Sequence, residues 1–301
     1  MANTTHAFTK DISRQVFQPP FRVAADQYSW PWERLTSVKT SSAATESTFS
    51  FNGLGYARPT GELEPFWYAD LSENASTTWT HAKYTLGTMF SQELLEDSQY
   101  ISHIKEAGEA IGQGQAYIVE YTVATVLNRA FNASYTLWDS AALCATHTMF
   151  DGSSWSNSLT AASLYFDTLW SAISHYETTL TTQDGLPITD KPKFLIYHPS
   201  QEKNVVKLLK STAGEPDSGG DNNVNSLLLY GLVPISCRHL TSTYWFVAGT
   251  KFQKDFVFYW RIRKEVKQEG DFDRDAIKIR SRQRYSVGLR DFTYIVGNAG
   301  T

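Results

Sequence analysis

The sequence predicts an α+β protein that combines long helices with long strands, and three segments carry this prediction. Aromatic residues are interleaved with turn formers over residues 45–86, apolar residues recur at helical spacing from about 91 to 131, and residues 277–284 alternate with a period of two. Hydrophobic residues make up 42% of the 301-residue chain, which is enough for one large core or two smaller ones. We therefore expect an ordered, globular protein.

The first segment, residues 1–44, is polar and rich in serine and threonine. Pro19-Pro20 and Trp30-Pro31-Trp32 oppose helix formation, because proline lacks a backbone N–H and restricts the residue before it. This segment is therefore predicted to be an extended arm.

Residues 45–86 are predicted to form a long two-stranded hairpin, with turns at Asn52-Gly53 and Pro59-Thr60-Gly61. An isolated pair of strands is marginal in water, so the apolar surface of this hairpin needs a cover. A neighbouring copy of the chain or the chain's own core can supply it, and aromatic residues are enriched at protein interfaces. The candidate intersubunit contacts are Phe51, Tyr56, Phe66, Trp67, Tyr68 and Trp79.

A long helix is predicted from Ser91, the candidate N-cap, to about residue 131, with Gly112 and Gly114 weakening and bending its middle. A second helix is expected over 162–180. It is followed by a buried strand at 193–199, a helix at 200–211 and a loop at 212–224. Further strands are predicted at 226–237, 243–249 and 255–263.

The last long strand has one basic face, formed by Lys278, Arg280, Arg282 and Arg284. Residues 251–290 contain 12 Lys or Arg against six Asp or Glu, although the whole chain has a net charge of −4. Two interpretations stay open. The basic side chains either neutralise DNA phosphates without reading sequence or pair with carboxylates of the same or an adjacent subunit.

The sequence predicts no catalytic residue, metal site or cofactor. Cys144 and Cys237 lack disulfide or zinc spacing, and Cys144 with His147 supplies only two of the four ligands that zinc normally needs. Asp271, Asp273 and Asp275 suggest a calcium loop, but Ala276 stands where glycine is needed and Arg282 where glutamate is needed. No signal peptide and no membrane-spanning apolar run are found, so no membrane role is expected.

Four segments, in this order and spacing, carry a family resemblance. They are Phe90–Ser98 after the aromatic hairpin, Ala142–Thr148 leading into Phe150-Asp151-Gly152 and Asn157, Asp184–Ile188 with Pro192–Pro199, and Asp271–Ile277 before the basic strand and Asp291-Phe292. Over roughly residues 45–298 the chain resembles the major capsid proteins of tailed double-stranded DNA bacteriophages, which have the Hong Kong 97-type fold. The resemblance is greatest to the branch that contains the Mu-like head subunit.

The resemblance implies an N-terminal arm at 1–44, an extended loop at 45–86, and a peripheral domain at 87–154 with a spine helix at 91–131. An axial domain at 155–262 and a return to the peripheral sheet at 263–301 would follow. Such subunits assemble in the host cytoplasm as hexamers and pentamers, which close the icosahedral shell of the virion around packaged DNA. A separate scaffolding protein and a portal are the expected partners, the presence of a decoration protein stays open, and the double-stranded DNA would be contacted non-specifically.

Two alternatives to the phage head remain open at this stage. An encapsulin-type nanocompartment subunit uses the same fold around cargo enzymes, and is distinguished by whether the particle contains protein or a genome. A Trp-rich carbohydrate-binding module or glycoside hydrolase is the other, because nine Trp and 16 Tyr could form stacking platforms. That alternative predicts a compact monomer with a binding cleft.

Overall fold

The computed structural model describes residues 4–51, 53–69, 73–91, 93, 101–211, 225–271 and 276–301. The helices are α1 Thr4–Ala25, α2 Ile101–Asn128, α3 Phe166–Thr178, α4 Glu202–Lys210 and α5 Phe252–Asp255. Strands β1 to β7 are Ser37–Thr40, Thr45–Phe51, Glu73–Thr80, Ala82–Ser91, Thr146–Thr148, Ser154–Ser156 and Ser158–Leu159. Strands β8 to β13 are Pro192–Tyr197, Val233–Ser236, Trp245–Gly249, Phe256–Asp271, Ala276–Leu289 and Ile295–Asn298.

A four-stranded sheet in the order β1-β11-β12-β4 forms one part of the molecule. Its two longest strands, β11 and β12, pair antiparallel, and β12 pairs antiparallel with β4 on its other side. One face of this sheet packs on α2, where Gln283 Nε2 donates to the carbonyl of Gln115 at 2.9 Å and Tyr285 Oη donates to that of Ile118 at 3.1 Å. The opposite face carries the basic side chains of β12.

A five-stranded sheet in the order β7-β13-β10-β8-β9 forms the other part. Its central strand β10 is buried along its whole length, as expected for a strand covered on both faces. Helix α3 buries its apolar face against this sheet. The buried residues of that face are Leu169, Ala172, Ile173 and Tyr176. The predicted helix at 162–180, strand at 193–199 and helix at 200–211 thus correspond to α3, β8 and α4.

The prediction that residues 1–44 form an extended arm is wrong for Thr4–Ala25, which form α1 despite the two internal prolines. Each internal proline costs a helix about 3 kcal/mol. Burial of Phe17, Phe21 and Ala25, which are spaced by four, against Ile104 and Ile111 of α2 opposes that cost. Tertiary packing therefore overrides the local preference of the prolines.

Helix α2 confirms the predicted long helix over residues 101–128 and runs through Gly112 and Gly114 as one helical segment. Its 28 residues span about 42 Å. Ser91, the predicted N-cap, is the last residue of β4 and pairs with Ala276. Residues 94–100 lie outside the described part of the chain. The fully buried Glu120 accepts a hydrogen bond from Ser29 Oγ at 2.5 Å, which holds the segment after α1 against α2.

Three further boundaries differ from the predictions. Residues 226–230 form a 3-10 helix and only Val233–Ser236 form a strand, since Gly231 adopts a left-handed conformation that ends the turn. Residues 256–262, assigned to the axial domain, already belong to β11 of the four-stranded sheet. Strand β13, assigned to the peripheral sheet, instead pairs with β10. The chain therefore crosses between the sheets at 250–255 and again at 290–294.

Candidate assembly surface

Strands β2 and β3 form the predicted hairpin, and between them residues 53–68 are all exposed. The large side chains of this exposed loop are Tyr56, 69% exposed, Phe66, 78%, Trp67, 46%, and Tyr68, 85%. Surface apolar residues usually occur singly, and a contiguous group of this kind marks an interaction site. The four predicted contact residues therefore lie together on one protruding segment with little cover from the chain itself.

Local contacts give the exposed loop a defined shape. The guanidinium carbon of Arg58 lies 4.3 Å from the ring centroid of Trp67, a cation–π contact across the loop. The Glu64 carboxylate accepts a hydrogen bond from the backbone N–H of Gly61 at 2.9 Å and closes a turn. Leu63, within that turn, has a φ of 67° and a fully exposed side chain. The turn thus directs an apolar side chain straight into solvent.

The other two predicted contact residues lie at the base of the hairpin. Trp79 packs on its own sheet, 5.9 Å from the ring of Tyr259 and directly over Gly288, where a Cβ would come within 1.9 Å of its Nε1. Phe51 pairs with Glu73 through the backbone, and its side chain lies outside the described part. Trp79 therefore anchors the hairpin to its own subunit, while residues 56–68 project from it.

The predicted basic face of β12 is confirmed. Lys278, Arg280, Arg282 and Arg284 point away from α2, and the intervening Ile277, Ile279, Ser281 and Gln283 are buried. Cross-strand pairing places Lys83 of β4 opposite Arg284, and Lys267 of β11 opposite Arg280. We call this surface the cationic face. It consists of Lys83, Lys267, Lys278, Arg280, Arg282 and Arg284.

Some of these cations have carboxylate partners in their own chain. Arg282 Nη2 and Nε both lie 2.8 Å from Glu265 Oε2, and hydrogen bonding to Arg282 lowers the pKa of Glu265. Lys278 pairs with Asp271, and Lys267 lies 3.4 Å from Glu265. Within the described residues, no ion pair involves Lys83, Arg280 or Arg284. The cationic face therefore keeps an excess of positive charge.

A cavity of about 310 Å³ opens at one end of the cationic face, lined by Lys83, Ile262, Arg282 and Arg284 with His81. The buried His81 ring lies between two hydroxyl groups, with Nε2 3.1 Å from Ser41 Oγ and Nδ1 3.0 Å from Ser286 Oγ. Burial and the nearby Arg284 charge lower the pKa of His81. Because His81 is then neutral, the positive charge of the cavity comes from Lys83, Arg282 and Arg284.

The residues considered as metal ligands have other roles. Cys144 is buried in the main core, and burial raises the pKa of its thiol. His147 stacks on Phe292 with 3.6 Å between ring centroids, and its Nδ1 lies 2.6 Å from Asp139 Oδ2. Asp273 and Asp275 of the suggested calcium loop lie outside the described part. Across the described ranges, no group of three potential ligands could hold a metal ion, and no helix is long and apolar enough to span a membrane.

Sequence reasoning missed two features of this surface. Lys83 was not assigned to the basic face, because its position opposite Arg284 follows from the pairing of strands distant in sequence. The acidic character of the hairpin is visible in the sequence but enters none of the predictions above. Residues 59–82 contain four carboxylates, Glu62, Glu64, Asp70 and Glu73, and no Lys or Arg.

Comparisons with known proteins agree on one type of subunit. The model of a family described as phage capsid protein matches residues 74–298, about three quarters of the chain. No curated protein sequence gives a significant match.

Solved structures with similar folds include capsid subunits of several viruses. One is the mature capsid of bacteriophage PhiM1, with a TM-score of 0.59 and 12% identity over 91% of this chain and 88% of that chain. Another is the capsid of cyanophage P-SCSP1u, with a TM-score of 0.59 and 10% identity over 91% and 89%. A virus-like particle from Pyrococcus furiosus has a TM-score of 0.57 and 8% identity over 94% and 98%. At these identities the similarity shows a shared fold.

Proposed function

This chain belongs to the phage capsid protein family, and from that premise we propose how its copies hold one another in the shell. It is a major capsid protein with the Hong Kong 97-type fold, a structural subunit of an icosahedral phage head. The proposal is that the exposed loop, residues 53–68, lies on a neighbouring copy within each hexamer and pentamer. Strands β11 and β12 with helix α2 would form the peripheral domain. The five-stranded sheet would form the axial domain.

The observation that carries this proposal is the run of 16 consecutive exposed residues containing Tyr56, Phe66, Trp67 and Tyr68. Burying one large apolar side chain contributes roughly 1.5–3 kcal/mol. Four such side chains would supply roughly 6–12 kcal/mol before the cost of ordering the loop is subtracted.

The test is a double substitution, Phe66→Ala with Tyr68→Ala, in the full chain expressed for assembly. Both side chains are more than three-quarters exposed, so the subunit should keep its fold, as judged by circular dichroism. Shells seen by electron microscopy should be lost or greatly reduced. Leu229→Ala, which removes an 88% exposed apolar side chain from a different part of the chain, serves as the matched control.

Loss of the subunit fold in the double variant would instead show that the loop belongs to its own core. Normal shells from a folded double variant would refute the intersubunit role of the loop. Either result is readable from the same two measurements.

The proposal extends to a non-enzymatic role and to partners outside the shell lattice. A phage head needs a portal through which DNA enters, and a scaffolding protein and a decoration protein are the further partners we propose. Co-expression with the adjacent genes tests these, because a scaffolding requirement would appear as aberrant tubes or aggregates from the capsid protein alone.

The content of purified particles separates the phage head from the nanocompartment alternative. A phage head contains double-stranded DNA, which we propose is contacted without sequence specificity, whereas a nanocompartment contains cargo protein. The family match favours the phage head over both this alternative and the carbohydrate-binding module.

A further inference from the structure

We infer that the cationic face is the docking site for the acidic part of a neighbouring copy's hairpin, residues 59–69. This inference rests on the proposed function, because it assumes that the hairpin lies on a neighbour, and it adds where the hairpin lies. The sites that would meet are the carboxylates Glu62 and Glu64 of one copy and the cations Lys83 and Arg284 of the next.

The hairpin contributes a concentrated negative charge. Four carboxylates and no Lys or Arg occur between Arg58 and Lys83. Glu62 has no hydrogen bond or ion pair with any residue that the structure describes, and Glu64 bonds only within its own turn there. These carboxylates flank the exposed aromatic side chains, so a surface that receives the aromatics must also receive the charges.

The cationic face has the complementary property. Like charges directly opposite one another destabilise an antiparallel pair, yet Lys83 lies opposite Arg284 and Lys267 lies opposite Arg280. Glu265 forms an ion pair with Arg282, and Asp271 forms one with Lys278. Lys83, Arg280 and Arg284 have no carboxylate partner among the described residues. An arrangement that is unfavourable within one subunit is explained when a second subunit supplies the missing negative charge.

The shape and apolar content of the surface suit the same occupant. The cavity beside His81 holds about 310 Å³, is lined by Lys83 and Arg284, and includes the apolar side chain of Ile262. At the other end of the cationic face, Met89 is 47% exposed and lies opposite Lys278. Methionine, isoleucine and the flat faces of arginine side chains are good partners for aromatic rings. A segment that mixes carboxylates with aromatics therefore matches this face in both respects.

Packaged DNA is the competing occupant, and the distribution of carboxylates argues against it. Glu265, Glu269 and Asp271 lie along β11 beside the basic strand, on the same surface. Phosphates following that strand would be repelled by these three carboxylates, which Lys267 alone interrupts. The free cations are concentrated instead near β4, at the edge of the sheet, where a short segment of protein fits better than a duplex.

Charge exchange tests the inference. Lys83→Glu with Arg284→Glu, and separately Glu62→Lys with Glu64→Lys, should each lower the yield of shells about tenfold or more, since like-charge contacts at an interface are strongly unfavourable. Combining all four substitutions should restore the yield to within about threefold of the original chain, because the attraction is re-established with reversed signs. Lys193→Glu with Lys203→Glu, two exposed cations elsewhere, is the control for the change in net charge of the Lys83 and Arg284 variant.

The outcomes separate the inference from the proposed function. If the Phe66 and Tyr68 double variant loses shells but charge exchange gives no recovery, the loop docks on a neighbour elsewhere and this inference fails alone. If none of the loop variants affects assembly, both fail. If the Lys83 and Arg284 variant forms normal shells with less DNA in each, the cationic face binds phosphate and the inference is overturned.

Discussion

Replacement of Gly112 by alanine should loosen the contact between α1 and α2. A Cβ at Gly112 would lie 2.6 Å from the carbonyl oxygen of Phe21, 2.9 Å from the Cβ of Ala24 and 3.0 Å from the backbone nitrogen of Ala25. Two of these three atoms belong to the backbone of α1, so no side-chain rotation can relieve the clash. The helices must move apart, and the packing of Phe17 and Phe21 is lost in part.

The expected magnitude combines two opposed effects. Overpacking of a tight contact costs roughly 1–3 kcal/mol. Alanine is a better helix former than glycine and contributes about 1 kcal/mol in the opposite direction. The free energy of unfolding should therefore fall by up to about 2 kcal/mol, with the loss centred on the contact between the two helices.

Gly114→Ala is the matched control, because it lies in the same helix with a different neighbour. Its Cβ would meet only the end of the Leu86 side chain, at 2.7 Å, and that side chain is 42% exposed and can move. Urea unfolding of the subunit followed by tryptophan fluorescence should show a lower midpoint for Gly112→Ala and an unchanged or higher one for Gly114→Ala. Equal midpoints for the two variants would refute the account of the helix contact.

Three further perturbations have expected outcomes. Burial and the neighbouring Asp291 charge raise the pKa of Asp255 from 3.8 to about 7, so the folded state keeps a proton that the unfolded chain releases, and stability falls as pH rises between these values. Asp255→Asn should therefore raise the free energy of unfolding, measured by urea unfolding, by up to about 4 kcal/mol at pH 8 and change it little at pH 4; an equal effect at both pH values would contradict this. Trp79→Ala should cost roughly 2 kcal/mol in subunit stability measured by thermal unfolding, since its ring packs on the sheet. Glu265→Gln should shift the melting temperature hardly at all, because a surface ion pair with Arg282 contributes under about 1 kcal/mol.

Elements with strong periodicity were predictable from the sequence. The period-two alternation of Lys278, Arg280, Arg282 and Arg284 predicted β12, and its basic face is confirmed. The apolar stripe of residues 164–176 predicted α3 in the same way. In both cases one face of the element is buried, so buried residues recur with the period of the strand or helix and can be read from the sequence.

Elements determined by distant contacts were not predictable in this way. Helix α1 contains two prolines and forms because Phe17 and Phe21 pack on Ile104 and Ile111, more than 80 residues away. The sequence alone predicts that Gly112 weakens the helix, but its role is to admit the backbone of α1, which no local pattern reveals. Knowledge of the pairing between helices was needed to interpret both.

The assembly surface could be predicted from the sequence only in part. The exposed aromatics Tyr56, Phe66, Trp67 and Tyr68 were recognised because an isolated hairpin cannot cover them. Trp79 was grouped with them, although it lies against Tyr259 of its own subunit, because composition does not distinguish the tip of a hairpin from its base. The part played by Lys83 required the register of β4 against β12.

A cryo-electron microscopy reconstruction of assembled shells, at a resolution that shows side chains, would show directly where the hairpin of each subunit lies. We expect residues 53–68 of one subunit to cross the four-stranded sheet of the next, with Phe66 and Tyr68 covered and the carboxylate of Glu62 or Glu64 within about 4 Å of Lys83 or Arg284. A loop folded against its own subunit, or projecting into solvent in the finished shell, would contradict it.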